Sequence, residues 1–334
     1  MTPDRQSARQ TRVLPVITGL FFVALIVFLV ALATGSVGLS PADVWQGLWN
    51  ADSGLSRTLV FDLRLPRALN AFATGGLLAI AGVLMQVLLR NPLADPYILG
   101  VSGGAAVVAL LAIMSGLSGI WINAGAFAGA LTATLLVFAL AQGRGSWTPL
   151  RLLLTGVVLA AGFGAVISLL LAMGPDTSLR GMLFWLMGDL SYADNAVGHL
   201  VVLTLAIAAG MLVARQLNVL ARGDLQAETL GVAVRPLRIG VYLSSSLITA
   251  VAVTTAGSIG FVGLVVPHIV RMITGPDHRY LIPAAALAGG ILLTIADTLA
   301  RTVIAPRQLP VGAITALIGV PLFLILVTRQ RAVN

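Results

Sequence analysis

The residues able to do chemistry in this chain are few. Its three histidines, His199, His268 and His278, stand far apart, with no partners at metal-ligand or triad spacing. They are predicted to be interfacial side chains. There is no cysteine, which excludes disulfides, Cys-ligated zinc, iron–sulfur clusters and thiol catalysis. Ionisable groups inside apolar stretches are nearly missing. Asp297 is the exception, and with Arg301 four residues on it reads as an i,i+4 pair on one helix face rather than a proton site. No catalytic, cofactor or metal site is predicted, and the remaining polar chemistry is recognition. Arg64 and Arg67 flank Pro66 in one short segment. Two guanidinium groups fixed there, with Arg301, suit carboxylates on an external partner better than loose contact with lipid phosphates.

A second recognition element lies in the connector Leu217–Val232. Gly223 breaks the chain, Asp224 favours a helix start, and Gly231 stops that helix about two turns later. Leu225, Ala227 and Leu230 on so short a helix have nothing to cover unless a partner sits there, beside Glu228.

The elements that must position these groups are membrane helices. Mean hydropathy is +1.00, 58% of residues are hydrophobic and 10% are charged, against about a quarter charged in a soluble domain. From Ala68 to Leu89 the chain is almost wholly apolar, and 22 residues at about 1.5 Å each span roughly 33 Å, enough for a bilayer core. Val13–Thr34 follows a basic start and reads as a signal anchor that stays. Further spans are expected near 98–115, 122–141, 152–173, 196–214, 239–257, 258–271, 281–300 and 312–328. Amphipathic connectors lie at 174–195 and 215–238. The prediction is an all-α polytopic membrane protein of about ten transmembrane helices. It forms a single transmembrane domain over residues 1–334, with a tail at 1–12, a bundle at 13–328 and a cytoplasmic segment at 215–238.

All 20 basic residues are arginine, placed singly at span ends, so the net charge of +8 marks topology rather than nucleic-acid binding. With the N-terminus inside, 14 of the 20 arginines fall on inner segments and 6 on outer ones (Arg57, Arg64, Arg67, Arg180, Arg301 and Arg307), which places both termini in the cytoplasm. Trp45 and Trp49 mark a short interfacial helix in the first outer loop. A pathway walled by Ala, Gly, Ser, Thr and Met, without fixed charges, suits a bulky solute better than a small ion.

The segments RLPRAL, AGVLMQVLLRNPLADPYILGVSGG, RLLLTGVVL, LARGDLQAETLGV, GSIGFVGLVVPHIVRMITGPDHRYLIP and LPVGAITALIGVPLF strongly resemble the FecCD family. These are membrane permeases of bacterial ABC importers for iron–siderophores, haem and vitamin B12. The resemblance runs through essentially the whole chain, in order. It implies ten transmembrane helices in the bacterial inner membrane and a permease dimer, of identical or related chains, around a central pathway. Two cytoplasmic ATPase subunits, carrying ATP and Mg, and an external substrate-binding protein complete the implied assembly. Arg64, Arg67 and Arg301 correspond to the arginines that receive acidic residues of the binding protein. Gly223, Asp224, Leu225, Ala227, Glu228, Leu230 and Gly231 correspond to the coupling helix. Ser146, Trp147 and Thr148 correspond to the cytoplasmic gate, although Trp-Thr-Pro replaces the family's small polar residues. Gln308 stands where members usually carry Glu. No Walker motif is present, so the ATPase is expected on a separate chain. The expected cargo is an iron–siderophore, ahead of vitamin B12 and haem. A secondary transporter is the more remote reading.

Overall fold

The computed structural model describes residues 3–35, 37–50, 54–117, 119–142, 148–191, 193 and 195–331. Among these residues every regular element is helical. In chain order the helices are α1 (Pro3–Ala33), α2 (Pro41–Trp49), α3 (Leu55–Leu88), α4 (Val101–Met114), α5 (Gly119–Gln142), α6 (Pro149–Met173) and α7 (Asp176–Met187). They continue as α8 (Ala196–Leu220), α9 (Asp224–Thr229), α10 (Val234–Ala256), α11 (Val262–Thr274), α12 (His278–Thr302) and α13 (Val311–Arg331). Seven of them, α1, α3, α5, α6, α8, α10 and α12, are long and apolar enough to cross a membrane. Helices α4, α11 and α13 are apolar over shorter stretches. Each of the ten apolar segments marked in the sequence falls on one of these helices.

Several boundaries differ from the sequence reading. The N-terminal tail is helical from Pro3 and continuous with α1. Helix α3 begins at Leu55, well before the apolar run, through a π-helical stretch at Thr58–Arg64. Helix α8 passes through Arg215 and Asn218 to Leu220, so the connector shortens to residues 221–233. The interfacial helix is present as α2, closed at its start by a capping box between Ser40 and Asp43. Its Trp45 and Trp49 are exposed, with ring centres 5.8 Å apart.

Helix α3 is the axis of the bundle. Its most apolar window is 94% buried, enclosed mainly by α12, α10, α8 and α11. In lipid the gain from hiding apolar surface does not draw helices together, so close backbone packing must. Gly82 supplies it: a Cβ there would fall on the Gly263 carbonyl. Gly75 and Gly289 make the same approach between α3 and α12. Helix α6 is the opposite case, with only 6% of its window buried.

Candidate functional sites at the two ends of the bundle

Helix α3 carries a charge cluster at each end, Arg67 near one and Arg90 just past the other. The 23 residue steps from one to the other span roughly 35 Å as a helix.

At the first end, Arg64 is buried and donates from Nη1 to the carbonyls of Leu32 (2.8 Å) and Ala33 (3.0 Å). Its Nη2 donates to the Val37 carbonyl. These include the last carbonyls of α1, which have no partner within their own helix. Arg67 donates from Nε and Nη2 to the carboxylate of Asp297 at 2.8–3.1 Å. Arg301 reaches the same carboxylate from one turn along α12, 3.1 Å from Nε, as the i,i+4 reading expects. It also donates to the Ala31 carbonyl at 3.3 Å. Asp297 is 1% exposed, so both charges act on it through little water. The three arginines named from the sequence thus converge, but inward. Arg64 and Arg301 have their donors engaged within the chain, and Arg67 alone reaches a surface group, donating from Nη1 to Gln308 (3.0 Å) and Ser191 (3.2 Å). Arg67 and Arg301 share the single carboxylate of Asp297, with Arg64 held on carbonyls alone, so these four residues keep an excess of positive charge.

One turn along α3 from Arg67, Asn70 donates to the Ala193 carbonyl at 2.7 Å, which turns its Oδ1 toward His199 Nδ1, also at 2.7 Å. With Asn70 in that orientation the Nδ1 proton is the one donated. The Thr255 hydroxyl stands 2.8 Å from His199 Nε2, joining α10 to the network. His199 is therefore a half-buried polar junction. His268 and His278 are buried, so none of the three is the plain interfacial side chain the sequence suggested. Among the described residues no group of three or more His, Cys, Asp or Glu could hold a metal ion.

A cavity of about 730 Å³ opens beside this cluster. Asn123, Thr177, Arg180, Trp185, Asp189 and Gln308 are among its lining residues, and Thr255 connects it to His199. The wall is not free of charge, as the composition had implied. Asp189 is tied to the Ser191 amide and hydroxyl (2.8 and 2.6 Å), whereas the Arg180 guanidinium lies over the Phe184 ring at 5.5 Å.

At the other end, α9 projects between two glycines with positive φ, Gly223 (121°) and Gly231 (76°), a conformation that side chains resist. Leu225 and Leu230 are 77% and 65% exposed, and Glu228 is exposed with them. Ala227 is not part of that face: it is buried in the core of its own chain and seats the helix on the bundle. Asp224 accepts from Arg90 and Arg238. Nearby, Asp277 joins the start of α12 to the end of α8, accepting from Asn218 (2.8 Å) and Arg279 (2.6–3.1 Å). Burial works to raise the Asp277 carboxyl, but the hydrogen bonds from Arg279 and Asn218 outweigh it and hold the group down at about 2. Thr148 caps α6, accepting from the Arg151 amide at 3.3 Å, while Ser146 and Trp147 lie outside the described residues.

A glycine-packed bundle with seven helices long and apolar enough to cross a membrane, and polar clusters at its ends, is that of a multi-pass membrane protein. Residues 23–329 match the model of the FecCD transport family, and the chain belongs to that family. It is 42% identical over 319 residues to the hemin transport system permease protein HmuU of Yersinia pestis, covering 92% of this chain and 95% of that protein. It is 38% identical over 335 residues to the vitamin B12 import system permease protein BtuC of Yersinia enterocolitica, covering 99% and 97%. A solved structure described as an inward-facing conformation of a metal-chelate type ABC transporter superposes with a TM-score of 0.81 at 32% identity, over 95% of this chain and 99% of that one. The chain is accordingly a permease subunit of an ABC importer.

Proposed function

We propose that this chain carries an iron–siderophore complex inward, as one of two permease chains driven by two cytoplasmic ATPase subunits and loaded by an external binding protein. The observation that carries the reading is the exposed face of α9. Leu225, Glu228 and Leu230 form a small apolar patch with one charge, held rigid by Gly223 and Gly231, and a cleft on an ATPase fits it. The arginine asymmetry supports a cytoplasmic position for that helix and an outer position for the Arg67 end. There Arg67, backed by Arg64 and Arg301, presents net positive charge for acidic residues of the binding protein. The second permease chain packs on α6, whose long apolar face is open in the single chain. Thr148, which caps α6, belongs to the inner gate.

Arg180 in the outer cavity favours an anionic metal chelate. The 42% identity to a hemin permease supports haem as the second reading, since it too is an iron chelate with carboxylate edges. The test is uptake of labelled ferric siderophore, haem and cobalamin by cells lacking the chain, before and after it is restored, with the ATPase intact or inactivated. ATPase-dependent siderophore uptake is expected. Uptake indifferent to the ATPase would overturn the importer assembly, and uptake of cobalamin alone would overturn the cargo.

A further inference from the structure

Asp224 opens α9, and two arginines from separate parts of the bundle close on it. Arg90 stands just past α3 in a left-handed backbone conformation (φ 49°) and brings Nη2 to 3.1 Å from Asp224 Oδ2. Arg238, in the second turn of α10 and 9% exposed at its side chain, brings Nη2 to 2.7 Å from the same oxygen. One carboxylate oxygen therefore holds the projecting helix to the axial helix and to α10 together. Those two helices lead to the other end of the bundle, where α3 carries Arg67 and Asn70 and α10 carries Thr255 at the cavity wall.

The arrangement is incomplete. Asp224 Oδ1 and Arg238 Nε are both buried without a hydrogen-bond partner among the described residues. A carboxylate and a guanidinium match as a two-pronged pair, yet only one prong is made here. Buried polar groups left unpaired are costly, so a second arrangement that pairs them is favoured by what this one lacks. Turning the carboxylate toward Arg238 would join Oδ1 and Nε and withdraw Oδ2 from Arg90.

We infer that Asp224 is the joint that passes displacement of α9 into the bundle. It is shared between Arg90 and Arg238 in the present conformation, and closes two-pronged on Arg238, releasing Arg90, when α9 is pushed. Asp224 and Arg90 are positioning residues, acting through α9 and α3. The inference rests on the reading of α9 as the ATPase contact and goes beyond it by naming the route from that contact to α3 and α10.

The test uses the complete transporter reconstituted in vesicles, reading cargo moved per ATP hydrolysed alongside ATPase copurification. Asp224→Asn is expected to keep the ATPase attached while the ratio falls about tenfold, and Arg90→Ala, at a more exposed position, to lower it about threefold. An unchanged ratio in both variants overturns the joint. Loss of the ATPase itself from Asp224→Asn also overturns it, because the residue would then only shape the contact. If Asp224→Asn does not fold, with Arg238 left unpaired, the charge-inverted variant Arg90→Asp, Asp224→Arg, Arg238→Asp decides. A ratio near the wild-type value supports the joint, and a folded, ATPase-bound variant that stays uncoupled overturns it. The variant Glu228→Arg with Leu230→Asp checks the underlying reading separately. It should detach the ATPase, and full attachment there refutes the contact face whatever Asp224 does.

Discussion

Asp297 in α12 binds Arg67 of α3 at 2.8 Å, across 230 residues of sequence and near one end of the bundle axis. The carboxylate also holds Arg301, so a single anion restrains two buried or nearly buried cations. Removing the anion is therefore worse than removing either cation. Asp297→Asn should destabilise the chain by about 3–5 kcal/mol, the usual result of leaving buried charge uncompensated. Arg67→Gln should cost less, because Asp297 keeps Arg301. Thermal unfolding of the two variants in one detergent checks the order. Equal losses would mean that Arg301 does not rely on Asp297.

The glycine contacts divide into positions that packing requires and positions left open. Gly82→Val should give no folded chain, because the added carbons would occupy the place of the Gly263 backbone. Gly164, in α6, has nothing within 4 Å of a Cβ built on it. Gly164→Val should therefore fold, with an unfolding temperature close to that of the parent chain. If α6 is where a second permease chain packs, the larger Gly164→Trp should still fold but lose pairing, read from the particle mass in detergent. A paired Gly164→Trp would move that interface elsewhere.

The helices were legible because a chain crossing lipid must satisfy its backbone internally, and long apolar stretches allow little else. The Asp297–Arg301 pair was legible for a similar reason, since four residues on a helix is a contact distance. The link from Arg67 to Asp297 leaves no local mark, and so of three arginines read as outward-facing two, Arg64 and Arg301, are turned inward, and only Arg67 also reaches the surface. Ala227 shows the same limit at the other end. Its small apolar side chain looks like Leu225 in a pattern of hydropathy, yet only the seating of α9 decides which of them meets solvent. The end of α8 was misplaced because Arg215 and Asn218 break the apolar run without breaking the helix. Gly223, three residues past Leu220, was the better sign of where the chain turns.

Asp277 gives a pH dependence with a definite sign. Its folded-state carboxyl sits at about 2, below the ordinary value of 3.8, so on acidification the unfolded chain takes up the proton first. The stability it contributes is fully present above about pH 4 and is lost as the pH falls toward 2. Asp277→Asn should therefore unfold at a lower temperature than the parent chain at neutral pH. The gap should close between pH 4 and pH 2, where the parent carboxylate itself becomes neutral. Asn218 adds a second handle, since its Oδ1 accepts from the His278 amide at 2.9 Å while its Nδ2 serves Asp277. Asn218→Ala should reproduce much of the loss at neutral pH, though it keeps the Arg279 bonds. A gap for Asp277→Asn that persists unchanged down to pH 2 would show that shape, rather than the charge on Asp277, ties α8 to α12.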